Sequence, residues 1–172
     1  LSAIIMVLFI FHAVAGAFEL FGAGNNALKA VAWAAAALIA VHVIIGIKLT
    51  IDTLKLQKKA GASYFKQNLL FWGRRISGLA VMVFLFLHFT AIGDYSGEQY
   101  RLAFFGTAKL VSQICLVLSL ALHVISNVKP MLISFGIKSL RPRAADVIFV
   151  LSLLLLFTAA AFVVYFLRWN VW

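Results

Sequence analysis

Five continuous apolar runs, at about residues 1–21, 27–51, 69–93, 103–128 and 145–168, leave this chain few ways to fold. A bilayer core about 30 Å thick takes about 20 apolar residues to cross as an α-helix. Without water, backbone groups must be satisfied within the segment or in a closed barrel, and continuous rather than alternating runs read as helices. Of 172 residues, 65% are hydrophobic and 12% charged, whereas soluble domains carry about 25% charged residues. A water-soluble globule is therefore excluded. The expected fold is an all-α integral membrane protein, a five-transmembrane-helix bundle forming a single membrane domain over residues 1–172. The breaks are legible as a turn at Gly22–Asn26, a polar connection from Lys55 to Lys66, a loop at Gly93–Glu98, and a last connection bracketed by Pro130 and Pro142.

The net charge of +10 does not point to nucleic acid, because the basic residues sit in short pockets between apolar runs. Lys48, Lys55, Lys58, Lys59, Lys66, Arg74 and Arg75 flank the second connection, and Lys129, Lys138, Arg141 and Arg143 the fourth. Together these are eleven of the fifteen basic residues. Lys29, Arg101, Lys109 and Arg168 fall on the other side with Glu19, Asp94 and Glu98. Basic loops stay in the cytoplasm, so the N-terminus is expected inside and the C-terminus outside. Trp33, Trp72, Trp169 and Trp172 fall near the expected interfaces. The lone Cys115 excludes an intrachain disulfide, a Cys-x-x-Cys metal site and Cys-x-x-Cys-His haem attachment. The chain opens at Leu1 without methionine, which reads as a processed or incomplete start, and its first run lacks the features of a signal peptide.

The four histidines, His12, His42, His88 and His123, lie one on each of the first four helices. Ionisable residues at membrane depth mark function by default, although any single histidine can also pack inward on a hydroxyl or carbonyl. Depth distinguishes the cases. His42 and His123 each stand six residues before a basic residue, Lys48 and Lys129. His88 stands six before Asp94, and His12 seven before Glu19. At about 1.5 Å rise per residue, each lies ~9–10 Å inside its own face, giving two levels about 10–12 Å apart within a ~30 Å core. Each level holds two imidazoles.

A zinc or copper site generally takes three or four ligands, and neither level offers cysteine, carboxylate or methionine clusters. Porphyrin iron already has four equatorial nitrogens and takes two axial histidines. Ala13, Ala15 and Gly16 near His12, Ala40 and Gly46 near His42, and Ala121 near His123 leave room for a flat macrocycle, although small residues also serve ordinary helix contacts in membranes. The expectation is two haem b groups. Two such groups, one toward each face, form an electron route across the bilayer. The chain has no flavin or nucleotide fingerprint and no iron–sulfur cysteines, so the cytoplasmic redox partner must be another subunit. The mobile carrier in lipid is expected to be a quinone.

The stretch Phe71-Trp-Gly-Arg-Arg-Ile-Ser-Gly-Leu-Ala-Val-Met-Val-Phe-Leu-Phe-Leu-His-Phe89 resembles the cytochrome b membrane anchors of succinate:quinone and quinol:fumarate oxidoreductases. Five helices with histidines on the first four resemble the single-chain anchors carrying two haems. That resemblance implies an outer haem on His12 and His88 and an inner haem on His42 and His123, a pairing that the depth ruler also gives. It further implies docking of an FAD flavoprotein and an iron–sulfur subunit on the cytoplasmic face of a bacterial membrane. The quinone would be menaquinone or ubiquinone, and the resemblance allows a higher oligomer of the complex. Succinate and fumarate chemistry would belong to the flavoprotein. Where one di-haem branch has a glutamate two residues before the fourth haem histidine, this chain has Ala121. Of the propionate contacts that the family makes at the start of the first helix, only Ser2 is at hand.

Secondary residues have two readings each. Arg74 and Arg75 fit inner-haem propionates or simply the positive-inside rule. Trp72 falls near a family tryptophan donor to the His88 haem, or in the interfacial belt. Ser77 fits a propionate or the preceding turn's carbonyl. Lys109, fourteen residues and nearly four turns before His123, faces the bundle toward outer-haem propionates or snorkels, and Arg101 is a second candidate for that task. Glu19, two turns from His12, and Asp94 are quinone-site candidates able to accept protons, or ordinary helix-end residues. Tyr95 shares that ambiguity. Two other classes remain open: a cytochrome b anchor for a hydrogenase, formate dehydrogenase or nitrate reductase, and a histidine-based proton transporter. The latter generally shows broken helices at the midplane.

Overall fold

The computed structural model describes residues 1–23, 27–61, 69–96, 99–134, 136 and 142–170. These form α1 (Ser2–Leu20), α2 (Ala27–Ala60), α3 (Leu69–Phe89), a hairpin of β1 (Asp94–Ser96) and β2 (Gln99–Arg101), α4 (Thr107–Ser134) and α5 (Ala144–Asn170). Lys66, Glu98, Lys138, Arg141 and Trp172 lie outside the described residues, as does the turn at 24–26. All five helices are long and apolar enough to cross a membrane, and large side chains such as Val7, Phe86, Leu122 and Leu156 stand exposed on their outer faces. An aqueous surface does not carry such faces on every helix. The chain has the character of a helical multi-pass membrane protein.

Several boundaries differ from the sequence reading, α4 beginning at Thr107 rather than near 103 among them, and three differences have a clear physical reason. α2 runs on to Ala60 through Lys55, Lys58 and Lys59, because lysine is a good helix former once outside lipid. Its 34 residues extend about 51 Å at 1.5 Å per residue, well beyond a ~30 Å core. α3 stops at Phe89, and the expected loop contains a short antiparallel hairpin in which Tyr95 pairs with Tyr100 and Asp94 with Arg101. The two tyrosine rings pack across it at 5.3 Å.

Helix α4 does not end at Pro130 but carries it inside and continues to Ser134. Proline has no N–H, so the carbonyl four residues back, on Ser126, loses its helical partner. Arg74 Nε donates to that carbonyl at 3.0 Å. In lipid an orphan carbonyl would be costly, and a side chain from the neighbouring helix removes the cost.

Helix α1 ends in a Schellman motif. Ala23 N–H reaches Phe18 O and Gly22 N–H reaches Glu19 O, both at 2.9 Å, and Gly22 takes φ 98°, which its missing Cβ allows.

Packing is most extensive between α3 and α4, then α4 and α5, α1 and α5, and α1 and α2. At the hairpin end, Ala17, Leu20, Phe105, Ala161, Phe162 and Tyr165 form a buried cluster, closed by Leu102 N–H donating to Tyr165 Oη at 2.8 Å. At the opposite, basic end, Val124, Val128, Leu132 and Leu151 form another. Helix α5 thus wedges α1 against α4. Among the described residues, α1 with α3 and α2 with α4 make far less backbone contact. Histidine side chains bridge both of these gaps.

Candidate functional site

Toward the hairpin end, the His12 ring on α1 meets the His88 ring on α3, with centroids 6.1 Å apart and planes at 86°. Toward the basic end, His42 on α2 meets His123 on α4 at 6.4 Å and 82°. The structure therefore brings the four histidines together two by two, first helix with third and second with fourth. On α4 the level of the hairpin-end pair is marked by Gln113, ten residues or about 15 Å of helix rise from His123. The sequence ruler placed the levels closer because it took charged residues as the lipid edge, whereas α2 and α4 continue beyond Lys48 and Lys129.

The separations bear on what a pair can hold. Metal–imidazole bonds are about 2.0 Å, so two rings on opposite sides of one metal put their centroids roughly 6 Å apart. Edge-to-face aromatic contacts also span about 4.5–7 Å, so the second ring nitrogen is the sharper criterion. His88 Nδ1–H donates to Gln113 Oε1 at 2.7 Å. His123 Nδ1–H donates to the Arg74 carbonyl at 3.2 Å, with Ser77 Oγ 3.4 Å away. A neutral histidine that gives its Nδ1 proton to a fixed acceptor keeps its Nε2 lone pair for a metal. Among the described residues, no three of His, Cys, Asp or Glu gather closely enough to hold an ion by themselves. This donor set of two imidazoles is the kind that an iron whose other ligands come with it would take.

Small residues shape the surroundings. Gly16 and Gly46 each follow a histidine by one turn, and a Cβ on Gly16 would meet nothing within 4 Å. A Cβ on Gly78 would lie 3.1 Å from His123 Cε1 and 3.2 Å from Nδ1, so glycine is what lets that ring approach α3. Sequence reading did not single out Gly78 or Gln113. Gln113 had a signal, a lone amide in an apolar helix; Gly78 had none beyond its place in the Arg-Arg-Ile-Ser-Gly stretch.

The secondary candidates divide by end. Arg74 and Arg75 both lie beside the His42–His123 pair, and Arg75 Nη1 donates to Gly46 O at 3.4 Å, one turn from His42. Ser77 Oγ donates to the Arg74 carbonyl, which is the turn-bonding reading. Trp72, sixteen residues before His88, is about 24 Å of helix rise from it. It therefore stands beyond the level of the other pair, toward the basic end, edge-on to Phe71 at 5.5 Å. Lys109 Nζ donates to Thr90 O and Ala103 O at 2.5 and 2.7 Å, tying the end of α3 to the loop before α4. Arg101 lies on the Trp169 face, 3.1 Å from the ring centroid. Neither of these cations is turned to the His12–His88 pair by any contact described.

Glu19 accepts from Tyr95 Oη at 3.0 Å, and Asp94 accepts from Lys29 Nζ at 2.8 Å and from Tyr95 N–H at 2.9 Å. Lys29, then the Tyr95 amide, hold the Asp94 carboxyl below the usual carboxylate range. Burial first, then the bond to Glu19, pushes the Tyr95 phenol up to about 12. Two carboxylates and two phenols thus cluster at the mouth nearest the His12–His88 pair. No protein-family model, curated protein or solved structure matches the chain.

Proposed function

We propose that this chain is a di-haem cytochrome b, the membrane anchor and electron-transfer subunit of a succinate:quinone or quinol:fumarate oxidoreductase. The observation that carries the haem reading is the twofold meeting of histidines, with His88 and His123 each giving the Nδ1 proton to a protein acceptor. His12 and His88 would hold the outer haem, and His42 and His123 the inner one. When bound, each haem would take up and pass on one electron at a time. The chain's own residues orient these ligands: Gln113 and the Arg74 carbonyl fix two rings, and Gly78 admits one of them. Arg74 and Arg75 supply positive charge for propionates at the basic end.

The basic end would face the cytoplasm and dock the flavoprotein and the iron–sulfur subunit, with the α2 extension offering Lys55, Lys58 and Lys59. The carboxylates of Glu19 and Asp94 would receive protons from a quinol at the outer mouth, with the Tyr95 phenol holding Glu19 by its hydrogen bond. Assignment to the succinate/fumarate class rests on the resemblance of the segment 71–89. The test is gentle solubilisation of the chain from its native membrane. A flavin subunit and an iron–sulfur subunit are expected to co-purify, and succinate is expected to reduce the b-type absorbance. A nickel or molybdenum enzyme in their place would contradict the partner assignment and favour another quinone-linked complex.

A further inference from the structure

We propose that Gln113 is the positioning residue of the outer haem, selecting Nε2 of His88 as the ligand atom and setting the electron-donating strength of that imidazole. The proposal rests on the di-haem reading of the two histidine pairs.

Gln113 is fully buried, at 0% exposure, in the apolar length of α4. A primary amide in such a place is costly unless every polar atom is used, and the structure accounts for both of its ends. Ser112 Oγ–H donates to the Lys109 carbonyl at 2.7 Å. With its proton committed there, Ser112 Oγ accepts Gln113 Nε2–H at 3.2 Å. The amide is thereby oriented with Oε1 toward α3, where it accepts from His88 Nδ1–H at 2.7 Å. The direction of each bond in this chain fixes the next, and the last member is the His88 tautomer with its Nδ1 protonated. Flipping the amide would leave Ser112 Oγ, its proton already given to Lys109 O, facing a carbonyl it cannot donate to.

The other pair solves the same problem differently. His123 finds its acceptor in a backbone carbonyl, that of Arg74, which substitution cannot remove. His88 depends on a side chain. That asymmetry makes the outer site tunable through one residue, because a stronger acceptor at Nδ1 makes the ring a better donor to iron and favours the oxidised state.

The test compares the wild-type chain with Gln113→Leu and Gln113→Glu, all purified from membranes. Haem per chain, the potential of each b component by optical titration, and the low-spin EPR signal are read out. His88→Ala identifies the outer component by its loss. Gln113→Leu is expected to weaken outer haem binding roughly 10–100-fold and to raise the potential of what remains. Gln113→Glu is expected to retain the haem, lower its potential and shift its EPR signal. The inner component stays unchanged in both. Should Gln113→Leu fail to fold, the Gln113→Glu shift decides. Two haems in the wild type with an outer component indifferent to both substitutions, or with both components shifting alike, would overturn the role of Gln113 and leave the di-haem reading standing. No haem in the wild type would overturn the di-haem reading itself, and this proposal with it.

Discussion

Arg74 Nε donates to the Ser126 carbonyl at 3.0 Å, the carbonyl that Pro130 leaves without its helical partner. The arginine thereby closes a gap in the hydrogen bonding of the neighbouring helix and holds its own carbonyl against His123. Arg74→Leu is expected to destabilise the chain by about 1–3 kcal/mol, read by denaturant unfolding in detergent. Pro130→Ala restores an N–H to the Ser126 carbonyl, so in the Pro130→Ala background the same substitution should cost measurably less. Equal costs in both backgrounds would contradict the account.

Gly78 sets how closely His123 can approach α3. The Cβ of any other residue would stand 3.1–3.2 Å from the imidazole, tighter than ordinary van der Waals contact, and a branched side chain has no room. Gly78→Val is expected to remove the inner b component from the reduced-minus-oxidised spectrum while the outer one persists. Retention of both components would show that the ring does not need that approach.

Lys109 joins two stretches of backbone that no regular structure connects, Thr90 O after α3 and Ala103 O before α4. Lys109→Met keeps the stem and removes both bonds. Loss of about 1–3 kcal/mol is expected, together with faster amide exchange over residues 102–110. If Lys109 served only a haem propionate, stability of the haem-free chain would not change.

The hairpin carries a pH dependence whose sign follows from Tyr95. Its phenol ordinarily ionises near 10 and is raised to about 12 here by burial and by the bond to Glu19. The neutral phenol is therefore favoured by the folded state, so its contribution is full below pH ~10 and lost as pH rises toward ~12. Tyrosinate absorbance should show this late-titrating group in the wild type, and Tyr95→Phe should remove it and flatten the loss of stability across that window. An unaltered titration curve in Tyr95→Phe would contradict the assignment.

Much of this architecture can be read from residue order. Apolar run length gives the five helices, because lipid leaves a span little alternative to the helix. Counting residues from each histidine to the nearest charge gives which pairs share a level. What escapes is whatever depends on a neighbour. Pro130 reads as a terminus until Arg74 is seen beside Ser126, and the 93–98 stretch reads as a loop until Tyr95 and Tyr100 face each other. Gln113 looks like a blemish in an apolar helix until His88 stands opposite it. Trp72 falls sixteen residues before His88, and helix rise alone puts it about 24 Å from that level, a distance the sequence itself contains.

The central claim is that each histidine pair grips one haem iron. A pyridine haemochrome assay on the purified chain tests it, run in parallel on His12→Ala and His42→Ala. Two haem b per wild-type chain are expected, with one lost in each variant and with the remaining spectral component differing between the two. Fewer than two in the wild type, or the same component surviving in both variants, would contradict the account.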